Sequence, residues 1–138
     1  MLRQRLTHPE ILEALAAAGH GSKVLIADGN YPASTCLGPN ASLVYLNLAP
    51  GKPTVTEVLD ILLTSIVVED AMVMTPEDGP EPGIFQEFRS LMPDVSLTKL
   101  GRFEFYEEAG GADTCLQIVT GEQRIYANLL LTIGVVLP

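Results

Sequence analysis

Basic residues are scarce in this chain. Eight lysines and arginines stand against 17 aspartates and glutamates, a net charge of −9 over 138 residues. The eight are spread along the chain, whereas a nucleic-acid surface needs them clustered, so no nucleic-acid partner is expected. Long apolar runs are missing too: none reaches the ~18 residues of a membrane span, and no membrane partner is expected. The start, Met1-Leu2-Arg3-Gln4-Arg5, leads into a helix bearing Glu13 without a small-residue cleavage site. No signal peptide is expected there, and the reading is cytoplasmic. Cysteine is limited to Cys36 and Cys115, far apart and at no metal-ligand spacing, so both read as reduced thiols and no metal is expected. Charged residues make up only 18% of the chain against 47% hydrophobic, apolar for a small soluble protein. The surplus apolar surface is expected at a subunit interface, since obligate interfaces resemble a core cut in half.

The length fits one domain, 1–138, able to bury roughly two thirds of its unfolded surface. Its organising stretch is Gly19 to Ala33. Val24 to Ala27 reads as a buried strand, with a Gly-His-Gly turn on one side and an Asp-Gly-Asn turn on the other. Turns at the ends of a buried strand are where a scaffold presents working groups. His20 can change its charge near neutral pH, and Asp28 can accept hydrogen bonds and hold a charge, so the stretch reads as a proton-transfer site. Asp28-Gly29-Asn30 reads equally as an ordinary turn.

Along the rest of the chain, Thr7 and Glu10 give a capping box for a first helix, with Gly19 as the residue that ends it. Leu43 to Leu48 reads as a strand. Thr54 and Glu57 form a second capping box, opening a helix to about Ser65. Ala71 to Thr75 is a strand, and Ile84 to Met92 a helix stopped by Pro93. Val95 to Leu100 is a strand, Arg102 to Ala109 a helix, Thr114 to Val119 a strand and Tyr126 to Ile133 a last strand. Strands alternating with helices predict a single-domain, three-layer α/β/α fold with a mostly parallel or mixed sheet.

Four stretches occur in a familiar order: Gly19-His20-Gly21, Ala27-Asp28-x-Asn30-Tyr31-Pro32-Ala33, Arg102-Phe103-Glu104-Phe105-Tyr106-Glu107, and Thr120-Gly121-Glu122 followed by Tyr126-Ala127-Asn128. This ordered set resembles the RbsD/FucU family of small sugar mutarotases over nearly the whole chain. The resemblance implies His20 as proton donor and Asp28, Arg102, Tyr126 and Asn128 as the groups that hold the sugar. It implies a ring-shaped, usually decameric self-assembly and no cofactor. The chemistry agrees: mutarotation needs only an acid for the ring oxygen and a base for the anomeric hydroxyl. The Arg102–Glu107 run looks like the family's fucose mutarotases, whereas Leu46 to Pro53 is closer to its ribose pyranases. The expected substrate is L-fucose or a related sugar. D-ribose pyranase activity and a non-catalytic sugar-binding accessory of an uptake system remain as alternatives.

Other residues read more plainly. Tyr31 and Phe105 could line the pocket but as aromatics read sooner as core, Glu122 is a second acid candidate that reads sooner as a solvated loop charge, His8 reads as a surface residue, and Arg102 on its own as a helix-start ion pair. One geometric point stands apart from the resemblance. If Lys23 to Ala27 is extended, His20 and Asp28 lie roughly 20 Å apart at ~3.3 Å per residue, too far for one monosaccharide to touch both. The expectation, in keeping with the ring-shaped assembly that the resemblance implies, is a shared site with His20 from one subunit and Asp28 from its neighbour.

Overall fold

A computed structural model describes residues 1–138. Ten elements follow in order: α1 (Pro9–Ala17), β1 (Lys23–Ala27), β2 (Ser42–Tyr45), α2 (Val55–Leu62), β3 (Val68–Met74), α3 (Ile84–Leu91), β4 (Leu97–Leu100), α4 (Arg102–Ala109), β5 (Thr114–Val119) and β6 (Leu129–Ile133). The six strands form one sheet in the order β2-β5-β1-β6-β3-β4. β1 and β2 run parallel to β5, and β3 runs parallel to β4. β6 enters antiparallel between β1 and β3. The sheet is therefore mixed, within the expected class.

The period of two along β1 sorts its side chains between two layers. Val24 and Ile26 face the larger core, where Ile11 of α1, Leu59 of α2 and Phe85 and Phe88 of α3 pack. Leu25 and Ala27 face the smaller one, with Phe105 and Ala109 of α4 and Tyr31. Every residue of β1 after Lys23 is buried, as a central strand covered on both faces should be. Tyr31 and Phe105 are core residues, as their type predicts.

Element ends differ from the sequence expectation in physically clear ways. The capping box of α2 is present: Thr54 Oγ1 accepts the Glu57 amide at 3.2 Å, and Glu57 accepts the Thr54 amide at 2.7 Å. α1 instead begins one residue later than expected. Its cap is His8, whose Nδ1 accepts the Ile11 amide at 3.4 Å, because Pro9 suits the first helical position. The helix ends at Ala17 with Ala18 extended, and the left-handed turn falls on Gly21, φ 84°, instead of Gly19. α2 stops at Leu62, short of Ser65. β2 leaves the sheet at Tyr45, and the chain beyond it makes an Ala49–Lys52 bridge over Gly121. A Cβ at Gly121 would sit 2.3 Å from the carbonyl oxygens of both Ala49 and Lys52, so only glycine fits. β6 starts at Leu129, three residues after Tyr126, for a reason that belongs to the site.

Candidate active site at the two ends of β1

At the C-terminal end of β1 the chain enters the Asp28-Gly29-Asn30 turn, and at the end of the adjacent β5 it enters the 120–128 loop. The carboxyl ends of neighbouring parallel strands are where α/β sheets place ligand crevices. Thr120 ties the two together, donating from both its amide (3.0 Å) and its Oγ1 (2.8 Å) to the Ala27 carbonyl. The Gly29 amide donates to the Glu122 carbonyl at 2.9 Å.

Asp28 is 3% exposed and closely partnered. Its Oδ1 accepts the Asn30 amide at 2.9 Å, and its Oδ2 accepts Asn128 Nδ2 at 3.0 Å. Asn128 Oδ1 in turn accepts the Asp28 amide at 2.8 Å. Burial pushes the Asp28 carboxyl above the ordinary carboxylate range, against the pull of the bonds from Asn30 and Asn128. The reciprocal pair still leaves acceptor capacity on each Asp28 oxygen and one N–H on Asn128.

This pair also explains the late start of β6. Asn128 serves Asp28, and two residues earlier Tyr126 adopts φ 60°, the only positive φ outside glycine in the chain. A non-glycine residue there carries strain on the order of 1–3 kcal/mol, so residues 126–128 are a shaped loop and do not extend the strand.

Arg102 is the first residue of α4 and makes no ion pair, contrary to its plain reading. Its guanidinium lies over the rings of Phe103 (5.7 Å) and Tyr106 (5.6 Å), and its Nε donates to Tyr106 Oη at 3.1 Å. That bond raises the Arg102 pKa further, and the two terminal NH₂ groups have no partner within the chain. Asp28, Arg102, Tyr126 and Asn128 line one cavity of about 240 Å³, with Asn30, Tyr31, Met74 and Ile125 completing its wall. Four acceptor and donor types thus converge on one space of monosaccharide scale.

His20 lies at the opposite end of β1, outside this cavity. It borders a separate depression with Gly21, Ser22, Asn40, Asp113 and Cys115, and the two spaces share no residue. Its side chain is 60% exposed, and Nε2 lies 3.0 Å from both carboxylate oxygens of Glu69. Nδ1 has no partner. Within one chain the imidazole does not meet the cavity.

Sequence reasoning misread Glu122. It is 3% exposed, not a solvated loop charge. Burial pushes its carboxyl up, but bonds from the Arg124 side chain and amide, and from the Val55 amide, outweigh that and leave it lowered. Tyr106, though part of a quoted stretch, and Arg124 were given no role from the sequence. The i, i+4 spacing of Arg102 and Tyr106 on a helix marks the first pair; an acid and a base two apart in a loop carry no such signal.

Comparisons with known proteins cover nearly the whole chain. A family described as the RbsD / FucU transport protein family matches residues 1–136. Human fucose mutarotase is 35% identical over 141 residues, covering 94% of this chain and 90% of that protein. The D-ribose pyranase of Paracidovorax citrulli is 32% identical over 135 residues, covering 98% of each. The crystal structure of a fucose mutarotase from Streptococcus pneumoniae in complex with L-fucose superposes with a TM-score of 0.81 at 28% identity, covering 94% of both chains.

Proposed function

This chain belongs to the RbsD/FucU family, and from that premise we propose that it is a monosaccharide mutarotase, an isomerase that interconverts the anomers of a reducing sugar. The observation that carries the reading is the convergence of Asp28, Arg102, Tyr126 and Asn128 on one small cavity. In it, Asp28 accepts from vicinal sugar hydroxyls and the free NH₂ groups of Arg102 donate to them. Tyr126 contributes a ring face and a hydroxyl, and Asn128 its remaining N–H.

His20 supplies the proton transfer. An imidazolium protonates the ring oxygen while the anomeric hydroxyl loses its proton to a base; the C1–O5 bond breaks and the open-chain aldehyde forms. Rotation about C1–C2 presents the other face, and closure returns both protons. A positioned group of this kind gives ~10²–10⁴-fold, and no metal or redox partner enters the balance. Because His20 and Asp28 occupy opposite ends of β1, the working site takes His20 from one subunit and the cavity from its neighbour. That is consistent with a ring-like homo-oligomer. Exposed Leu48, Phe103, Ile125, Val136 and Leu137 are apolar surface for such contacts. A cytoplasmic setting, where Cys36 and Cys115 stay as thiols, completes the reading.

L-fucose is the favoured substrate, supported by the fucose mutarotases among its relatives and by the Arg102–Glu107 run. D-ribose is the second, supported by the pyranase relatives. NMR saturation transfer between anomers, run with L-fucose and D-ribose first, tests both. The expected result is faster exchange in both directions with an unchanged anomer ratio. No acceleration across a broad panel of reducing sugars would end the enzymatic reading.

A further inference from the structure

The loop that carries Tyr126 is fixed at both ends and loose between them. At one end Thr120, Gly121 and Glu122 are bonded to the backbones of Ala27, Pro53 and Gly29. At the other, Asn128 is locked to Asp28. Between these anchors Gln123, Arg124 and Ile125 are exposed, and Tyr126 is half-buried. Ile125 and Tyr126 form a ridge with open space on both sides. One side is the 240 Å³ cavity; the other is a wider one of about 820 Å³ that reaches the Pro76–Gly83 loop and α3. Tyr126 packs against the smaller core on its inner side only, and its backbone sits in the left-handed region, so a further contact is needed to set the ring.

Among residues 123–127, a single side chain bonds to the body of the protein. Arg124 grips the buried Glu122 carboxylate with Nε at 3.0 Å and Nη2 at 2.9 Å. Its amide donates to the same carboxylate at 3.1 Å. Its remaining Nη1 donates to both oxygens of Glu87 on α3, at 2.9 and 3.0 Å. Glu122 in turn accepts the Val55 amide at the start of α2, at 3.3 Å. One planar fork thus spans the loop, α2 and α3, a geometry that a lysine cannot reproduce. Burial would otherwise penalise the Glu122 charge, so the clamp has a partner it cannot easily lose.

We infer that Arg124, held by Glu122 and Glu87, is a positioning residue that sets Tyr126 at the wall of the sugar cavity. It touches no substrate itself. The role rests on the mutarotase reading for its consequence, but the positioning claim is measurable without any sugar. With tyrosine ring-labelled in ¹³C, the chain gives four signals, from Tyr31, Tyr45, Tyr106 and Tyr126, and Tyr126→Phe identifies the last. Arg124→Met and Glu87→Gln are expected to shift and broaden the Tyr126 signal while leaving the other three in place. A Tyr126 signal unmoved in both variants overturns the inference. If Arg124→Met fails to fold, Glu87→Gln decides alone, because it cuts only the exposed half of the clamp.

Anomer exchange provides the second arm. Arg124→Met should lower the exchange rate roughly ten-fold through displacement of a binding group, and Arg124→Lys should restore only part of that. In a Tyr126→Ala background, which removes ring and hydroxyl together, Arg124→Met should cost little more, since the group it positions is already gone. Additive losses would mean that Arg124 acts elsewhere, and the inference would fall. A wild-type chain inactive on every sugar would instead overturn the mutarotase reading, with the tyrosine signals still ruling on Arg124.

Discussion

The two ends of β1 are built on different terms. At the Asp28 end, Asp28 and Asn128 are buried and doubly tied to each other, and Gly29 and Gly121 permit close backbone approach. At the His20 end, an imidazole stands 60% exposed with one carboxylate for company. Buried networks fix geometry in advance, which binding needs; an exposed titratable group on a turn is free to exchange protons, which acid–base chemistry needs. On the proposed reading, a subunit so divided is a finished receptor beside an unfinished catalyst that an adjacent copy would complete. The contrast is therefore the strongest physical reason to expect that assembly and activity are inseparable.

Substitutions at the two ends should fail in different ways. His20→Ala should abolish most anomer exchange, a loss of ~10²–10⁴-fold, yet leave the melting temperature within about 1 °C, since an exposed residue contributes little to stability. Sugar-dependent thermal stabilisation should survive. Asp28→Ala should do the reverse on stability. It strands the buried Asn128 amide, a loss on the order of 1–3 kcal/mol, releases the Asn30 N–H to solvent, and should lower the melting temperature by roughly 5–10 °C. Sugar should no longer raise it. A large drop in stability from His20→Ala would show that the exposed end is structural, and the comparison would break.

The sequence spoke unevenly about these ends. Asp28, Arg102, Tyr126 and Asn128 were singled out through their motifs, and the cavity they line draws on three of the four marked segments; Gly19 to Gly21 lies outside it, and Met74 of β3 belongs to no motif. The separation of His20 from Asp28 was legible from strand arithmetic alone, because β1 is short, central and buried from Val24 on. What stayed hidden depended on contacts distant in the chain. Glu122 reads as a solvated loop charge, because nothing local says that the Val55 amide and the Arg124 fork will close over it. Tyr126 to Asn128 reads as strand, because alternation continues through it; the Asp28–Asn128 pair, a hundred residues apart, overrides that pattern. Thr7 reads as the first helix's cap from its spacing to Glu10, whereas Pro9 takes the first helical position and moves the cap to His8.

Within the built end, two buried carboxylates should titrate with opposite sign. Asp28 is raised in the folded state, so folding takes up its proton more readily than the unfolded chain does. Stability from this group is greatest below its unfolded value and falls as pH rises through the raised one. Glu122 is lowered, so its contribution is present above the ordinary glutamate value and is lost as pH falls through the folded one. Thermal melts from about pH 3 to 6 should therefore separate the variants. Relative to wild type, Asp28→Asn should gain more stability over that rise in pH, and Glu122→Gln should gain less. Curves that move together would mean that the two carboxylates share one environment.

The smallest effect is expected at the exposed end. Glu69 lies 3.0 Å from His20 Nε2, with 43% of its own side chain exposed. Exposed pairs of this kind contribute ~0–1 kcal/mol, at most about five-fold in a rate or an equilibrium. Glu69→Gln should accordingly leave the melting temperature unchanged and slow anomer exchange by less than about five-fold, measured by the same saturation transfer. The outcome discriminates because Gln keeps the shape and can still hydrogen-bond the ring, so only the carboxylate charge is removed. A loss of a hundred-fold would mean that the carboxylate is held against His20 far more firmly than its exposure allows. The neighbouring subunit would then have to cover the pair, and the His20 end would be a built site as well, completed in the assembly and not left open.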